Sequence, residues 1–310
     1  MSAELSPSRS QRVAVPLTPA AIFLVATIDD GGEDRVRALL KNVHGMERAV
    51  SFRLPSASLD LVTAIGSAAW DRLFDGPRPS LLREFPALRG GVHTAPSTPG
   101  DLLFHLRAMS LDACFELAHQ ILTELAGAVT VAEEVHGFRY LEDRDLIGFV
   151  DGTENPTGPG AVAAVTIGSA DPTFAGGSYV HTQRYVHNMP AWAAVPVPEQ
   201  ERVIGRSKAD DVEMAADVKP ANSHVALNAL KDEDGADLEI LRANMPYGRL
   251  GGEMGTFFIG YCATPAITEK MLANMFLGDP VGNHDRLLDF STAVTGCAFF
   301  APSADFFEAL

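Results

Sequence analysis

"GSYVHTQRYVH", residues 177 to 187, decides the fold of this 310-residue chain. Its residues alternate, so that Tyr179, His181, Gln183, Tyr185 and His187 fall on one face, the period-two pattern of a strand. This strand restarts an order of elements that can be traced once already upstream.

In that first pass, "AAIFLVATI" from Ala20 reads as a strand, and "GGEDRVRALLKNV" puts Val36, Leu39, Leu40 and Val43 on one helical face. "AVSFRLP" and "LDLVTAIG" read as two further strands, and "SAAWDRLF" as a short amphipathic helix. "REFPALRGGVHTAPSTPGD" is loop by composition. "LLFHLRAMS" is strand-like, "LDACFELAHQILTELAG" is a helix with Leu111, Cys114, Phe115, Ala118 and Ile121 on one side, and "AVTVAEEVHGF" returns as a strand. The order is close to βαββαβ. After residue 187 it repeats: "PEQERVIG" as helix, "LEILRAN" and "GTFFIGYCA" as strands, "AITEKMLANMFLG" as a helix ended by Gly278, and "GCAFFAP" as the last strand. The duplication rests on element order, with no residue-level repeat beside it. The expected architecture is therefore two α+β units with mainly antiparallel sheets, since short connections favour antiparallel neighbours. The boundary is expected near residues 139 to 146, after a mobile tail over residues 1–12.

Composition narrows the function. A formal charge of −16 disfavours nucleic acid and anionic membrane surfaces as partners. Cys114, Cys262 and Cys297 are far apart and read as small apolar core residues, not as a disulfide framework or zinc site. No apolar leader or long apolar run is present, which gives a cytoplasmic expectation. Nucleotide-binding glycine motifs, the G-x-S-x-G elbow and H-E-x-x-H are all missing.

Polar residues in apolar settings remain, and these cost free energy unless paired or used. In "LEILRANMPYG", period two sets Leu238, Ile240, Arg242 and Asn244 on one face, so an apolar face becomes polar at its end. The plainer alternative is an arginine paired to a carboxylate at a sheet end. In "VKPANSHVALNAL", Asn222-Ser223 leads into a helical turn that starts at His224. In "IGFVDGTENPTG", an apolar run delivers Asp151 into a Gly/Pro-rich turn. Taken alone, Asp151 reads as a turn aspartate.

Together, "GFVDGTENP", the His224 loop and "LRANMPYG" closely resemble the dye-decolourising peroxidases, in particular their compact bacterial type B branch. The resemblance covers nearly the whole chain. It implies two ferredoxin-like domains, 13–142 and 143–310, with one haem b per chain in the C-terminal one. It implies His224 as the proximal haem-iron ligand, backed by an acid for which Asp285 is the first choice and Asp289 the alternative. Asp151, Arg242 and Asn244 are implied on the peroxide side. Arg206 is implied as a haem-propionate partner, with His187 assisting. The activity implied is reduction of hydrogen peroxide through a ferryl intermediate, with dyes, phenols or similar small molecules as electron donors. Trp70, Tyr185, Trp192 and Tyr247 are the redox-active aromatics open to a relay. A homo-oligomer, dimer to hexamer, is also implied. Some relatives enter protein nanocompartments through a C-terminal extension, and "ADFFEAL" raises no expectation of one here. Two readings compete: a haem-handling protein that needs His224 alone, and a duplicated fold in which Arg242 and Asp151 merely form an ion pair.

Overall fold

The computed structural model describes residues 9–310. The first half runs β1 (Ala20–Ile28), α1 (Glu33–Arg53), β2 (Asp60–Gly66), α2 (Ser67–Leu73), β3 (Leu102–Ala108), α3 (Leu111–Glu124) and β4 (Val129–Phe138). The second half has α4 (Gly158–Val165), β5 (Ser178–His187), α5 (Met189–Ala193), α6 (Val197–Ile204), α7 (His224–Asn228) and β6 (Leu241–Arg242). It continues through β7 (Met245–Gly248), β8 (Met254–Cys262), α8 (Pro265–Leu277), β9 (Ser291–Ala293), β10 (Cys297–Ala301) and α9 (Ala304–Glu308).

One ten-stranded sheet joins the halves, in the order β6-β8-β5-β10-β2-β3-β1-β4, with β7 also on β8 and β9 also on β5. Every pairing is antiparallel. The first half has the spatial order β4-β1-β3-β2, and the second repeats it as β10-β5-β8-β6, so the duplicated α+β arrangement is real in space. The seam is the short β2–β10 pairing, Phe299 and Phe300 against Gly66 and Ile65.

Alternation along β1 explains why almost all of it is buried. Ile22, Leu24 and Ile28 pack under α1 and α3, whereas Ala21, Phe23 and Val25 face Phe257, Ile259 and Tyr261 of β8. The sheet therefore curls so that the inner faces of its halves share one core, with Phe23 stacked on Phe257 at 4.2 Å between centroids. Cys114, Cys262 and Cys297 are free and buried in these cores. Burial pushes their thiols up to about 12, 12 and 11.

Several local expectations change. The strand expected over "AVSFRLP" is the end of α1, because Val50 continues the buried stripe of Val36, Leu39, Leu40 and Val43 at helical spacing. On α3 the buried face is Ala113, Cys114, Leu117, Ala118 and Ile121, while Leu111 and Phe115 are exposed. The loop over 83–101 holds a small hairpin, Leu88–Arg89 with Thr94–Ala95. Of the tail expected over 1–12, residues 1–8 lie outside the described residues, and residues 9–12 are strapped down. Gln11 is buried, and its amide bonds both the N–H and the C=O of Thr63 and the carbonyl of Pro302. A side-chain amide can stand in for a missing strand partner, which composition alone does not reveal. No helix among the described residues is long and apolar enough to cross a membrane.

Candidate active site

A cavity lies on the outer face of the second half's sheet, beneath α8. Tyr185 and His187 of β5 and Thr256 and Phe258 of β8 form its floor, and Met271, Leu272 and Met275 of α8 cover it. Its wall is mostly apolar, with a few polar groups gathered into it.

His224 is the first residue of α7. Ser223 caps this short helix by accepting the Ala226 N–H, and Asn228 Nδ2 donates to the His224 carbonyl at 2.7 Å. The imidazole Nδ1 sits 2.6 Å from Asp285 Oδ2. A carboxylate can only accept here, so Nδ1 is the donor, and in the neutral imidazole Nε2 presents its lone pair to the cavity wall. Asp285 is wholly buried, and its other oxygen accepts the Leu287 N–H at 2.9 Å. A histidine held from behind by a buried carboxylate is the arrangement that orients a metal ligand and raises its basicity. Of the two acids open in the sequence, Asp285 has this place. Asp289 instead contacts His93 and His284.

Asp151, Arg242 and Asn244 meet at another part of the wall. Asn244 Oδ1 accepts the Ile259 N–H at 3.0 Å, which fixes the amide so that Nδ2 donates to Asp151 Oδ2, also at 3.0 Å. The turn before Asp151 is tied by bonds between Asp145 and Phe149 and by Arg144, which donates to the carbonyls of Gly148 and Lys208. Gly152 follows with φ +85°, a conformation that favours glycine. Arg242 forms no ion pair with Asp151 among the described residues, and its buried Nε has no partner. The same three residues line a smaller cleft, so they stand between two spaces.

His187 lines the cavity but is already engaged, with Nδ1 2.6 Å from Ser291 Oγ and Nε2 3.1 Å from Thr256 Oγ1. Arg206 does not line the cavity. Its guanidinium is bound to Asp211 at 2.8 Å and Glu154 at 2.6 Å. Tyr185, which donates to Gln183 Oε1, has its hydroxyl pKa pushed far up by burial and the nearby Asp285. It therefore remains a neutral phenol.

Two residues of the site escaped the sequence reading. Asn155, in the quoted "DGTENP", clasps the backbone of Arg242 with both ends of its amide: Nδ2 donates to the carbonyl at 2.8 Å and Oδ1 accepts the N–H at 3.0 Å. Asp145, buried at the cavity edge, accepts from Thr256 and lies 3.2 Å from His187 Nε2. Its only sequence signal was an acid just before the apolar run "LIGFV".

Comparisons with known proteins bear on this arrangement. Residues 10–139 match the model of the Dyp-type peroxidase N-terminal region and residues 142–306 that of the C-terminal region. A dye-decolorizing peroxidase of Mycolicibacterium paratuberculosis is 60% identical over 303 residues, covering 97% of this chain and 86% of that protein. The encapsulated DyP-type peroxidase from Mycobacterium smegmatis superposes with a TM-score of 0.96 at 59% identity, covering 98% of both chains. An arginine-to-leucine variant of Rhodococcus jostii RHA1 DypB in complex with heme gives 0.94 at 50% identity, covering 98% of this chain and 99% of that one. With family models spanning nearly all of the chain and relatives this similar along its length, the chain belongs to the DyP-type peroxidase family and is an enzyme of that class.

Proposed function

We propose that the cavity holds one haem b, ligated by His224, and that Asp151, Arg242 and Asn244 handle hydrogen peroxide. The observation that carries this is the 2.6 Å bond from His224 Nδ1 to the wholly buried Asp285, which leaves Nε2 free at the wall of an apolar cavity. The unpartnered, buried Nε of Arg242 fits too, since an arginine kept for chemistry is not consumed by an ion pair. Haem supplies the iron that accepts oxidising equivalents from peroxide and passes them to a small-molecule donor.

The chain's own residues do the rest. Asp285 holds the imidazole in one tautomer and one orientation. Arg242 places the positive charge of its guanidinium where negative charge grows on the departing oxygen. Asn244, locked by Ile259, holds Asp151 in place and can orient peroxide without titrating. Asp151 can accept a proton from one peroxide oxygen and return it to the other as the O–O bond breaks, so that water leaves. The smaller cleft, lined by the same three residues, is our choice for the side from which peroxide enters. Arg206 can meet a propionate by exchanging Glu154, whose side chain is 60% exposed, while His187 sits at the cavity edge.

Stopped-flow mixing of the haem-loaded enzyme with hydrogen peroxide tests these roles. We expect Arg242→Leu to lower the bimolecular rate by about 10²- to 10³-fold, the usual cost of losing a charge-stabilising donor. Asp151→Asn is expected to lose at least tenfold, and a full rate across pH in that variant would remove the proton-shuttle role.

We place the two units at 13–142 and 143–310, a division that the repeated strand order supports. Three buried free thiols support a reducing, cytoplasmic setting. Exposed Leu111 and Phe115 on α3, with Val131 and Phe138 on the edge strand β4, support a homo-oligomer, dimer to hexamer.

A further inference from the structure

Outside the cavity, His93 of the 88–95 hairpin converges with His284 and Asp289, which stand five residues apart after α8. His93 Nε2 and His284 Nε2 lie 3.0 and 3.2 Å from one carboxylate oxygen, Asp289 Oδ1. The imidazole rings meet edge to face with centroids 4.8 Å apart. Each residue offers one ligand atom, and all three atoms fall within 4.8 Å of one another. Among the described residues this is the one trio of histidine, cysteine or carboxylate groups so disposed. Surface pairs such as His136 with Glu134 offer two donors only.

The segments are built to bring these atoms together. His93 lies in the turn of the 88–95 hairpin, where its carbonyl accepts the Gly90 N–H at 2.9 Å. His284 follows a tight reversal after α8. Gly278 there has φ +92°, and a Cβ on it would come 2.5 Å from the Asn283 nitrogen, so the chain can fold back only with glycine at that position. Asp289 closes the short 3-10 helix Arg286–Asp289. The side chains are 20%, 23% and 39% exposed, which lets an ion reach them from solvent.

Coordination chemistry suits the trio. A tetrahedral zinc site with bonds of about 2.0–2.1 Å separates its ligand atoms by about 3.3 Å. The two N···O spacings here are already within a few tenths of an ångström of that. Two imidazoles and one carboxylate also select borderline transition cations over calcium or magnesium, which prefer all-oxygen shells. We propose that His93, His284 and Asp289 form a site for one divalent transition cation, zinc foremost, with solvent completing its shell. The bound ion would staple the hairpin of the first half to the four-residue helix whose N-terminal cap is Asp285, the residue behind His224.

Isothermal titration of the untagged, haem-loaded enzyme with zinc chloride tests this. The expected result is one saturable equivalent per chain and a raised Tm, both lost in His93→Gln and in Asp289→Asn. His93→Gln can still donate a hydrogen bond to Asp289, and an unchanged Soret band reports that it is folded and loaded. If the wild type takes up no zinc at millimolar concentration, the proposal fails. Equal stoichiometry and affinity in the folded variants would likewise overturn it and reduce the trio to a hydrogen-bonded cluster.

Discussion

Asp285 shows how a buried charge is made tolerable and useful at once. An isolated carboxylate in an apolar interior is prohibitively costly, yet this one accepts from His224 Nδ1 on one oxygen and from the Leu287 N–H on the other. Asp285→Asn keeps the shape and removes the charge that makes the imidazole a stronger base. We expect haem to leave that variant about 10–100-fold faster, the usual scale for losing such a partner. Transfer of haem to excess apomyoglobin measures it, and an unchanged rate would mean that the acid only positions the ring. The site residues were legible in sequence where a local pattern exposed them, as with Arg242 and Asn244 at the end of an apolar face. Asn155 was not, because a lone asparagine in a turn looks the same whether it caps its own loop or clasps a strand 87 positions away.

At the scale of elements, the segment from Asp145 to Thr157 is a loop by composition but a brace by its hydrogen bonds. Asn155 joins it to β6, so Asp151 and Arg242 are held relative to each other without an ion pair between them. Asn155→Ala would strip two part-buried backbone groups of their partner, and we expect a loss of about 1–3 kcal/mol in stability. The peroxide reaction should slow about tenfold at unchanged haem content, because misplacing such groups by about an ångström is costly. Urea unfolding and stopped-flow absorption check the two effects separately. If stability falls and the rate does not, the clasp is structural only. Elements themselves were read well where periodicity was long, as in β5 and α8. They were misread in the last turns of α1, where "AVSFRLP" has strand composition but Val50 is held on the helix by the core it completes.

Across the whole molecule, the continuous sheet buries titratable groups that do not line the cavity. His181 on β5 is fully enclosed with neither ring nitrogen hydrogen-bonded, Glu269 standing 3.9 Å from Nε2, and burial, aided by the positive charge of Arg83, lowers its pKa to about 4. The unfolded chain, with its histidine near 6.5, binds the proton more readily than the folded one. Stability from this group is therefore complete above about pH 6.5 and drains away as pH falls towards 4, by roughly 3 kcal/mol in all. His105, buried between β1 and β2 with its pKa also well below the ordinary value, acts in the same direction. We expect the urea midpoint of His181→Phe to fall less than that of the wild type between pH 7 and pH 5. Equal shifts would assign the acid sensitivity to other groups.

The amino-acid sequence by itself determined the kinds of element and their doubled order, because side-chain direction repeats every two or 3.6 residues and that period is local. It also determined which residue types were available for chemistry, and the motif resemblance pointed to the family. Tertiary structure alone decided which of them meet. It chose Asp285 over Asp289 behind His224, gave Arg206 to Asp211 and Glu154, and joined Asn244 to Asp151 across 93 residues. It also rotated the buried face of α3 and folded two units into one sheet. The reason is physical: a polar side chain takes its partner from whatever the completed core brings within about 3 Å, and that neighbourhood exists only once distant segments have packed.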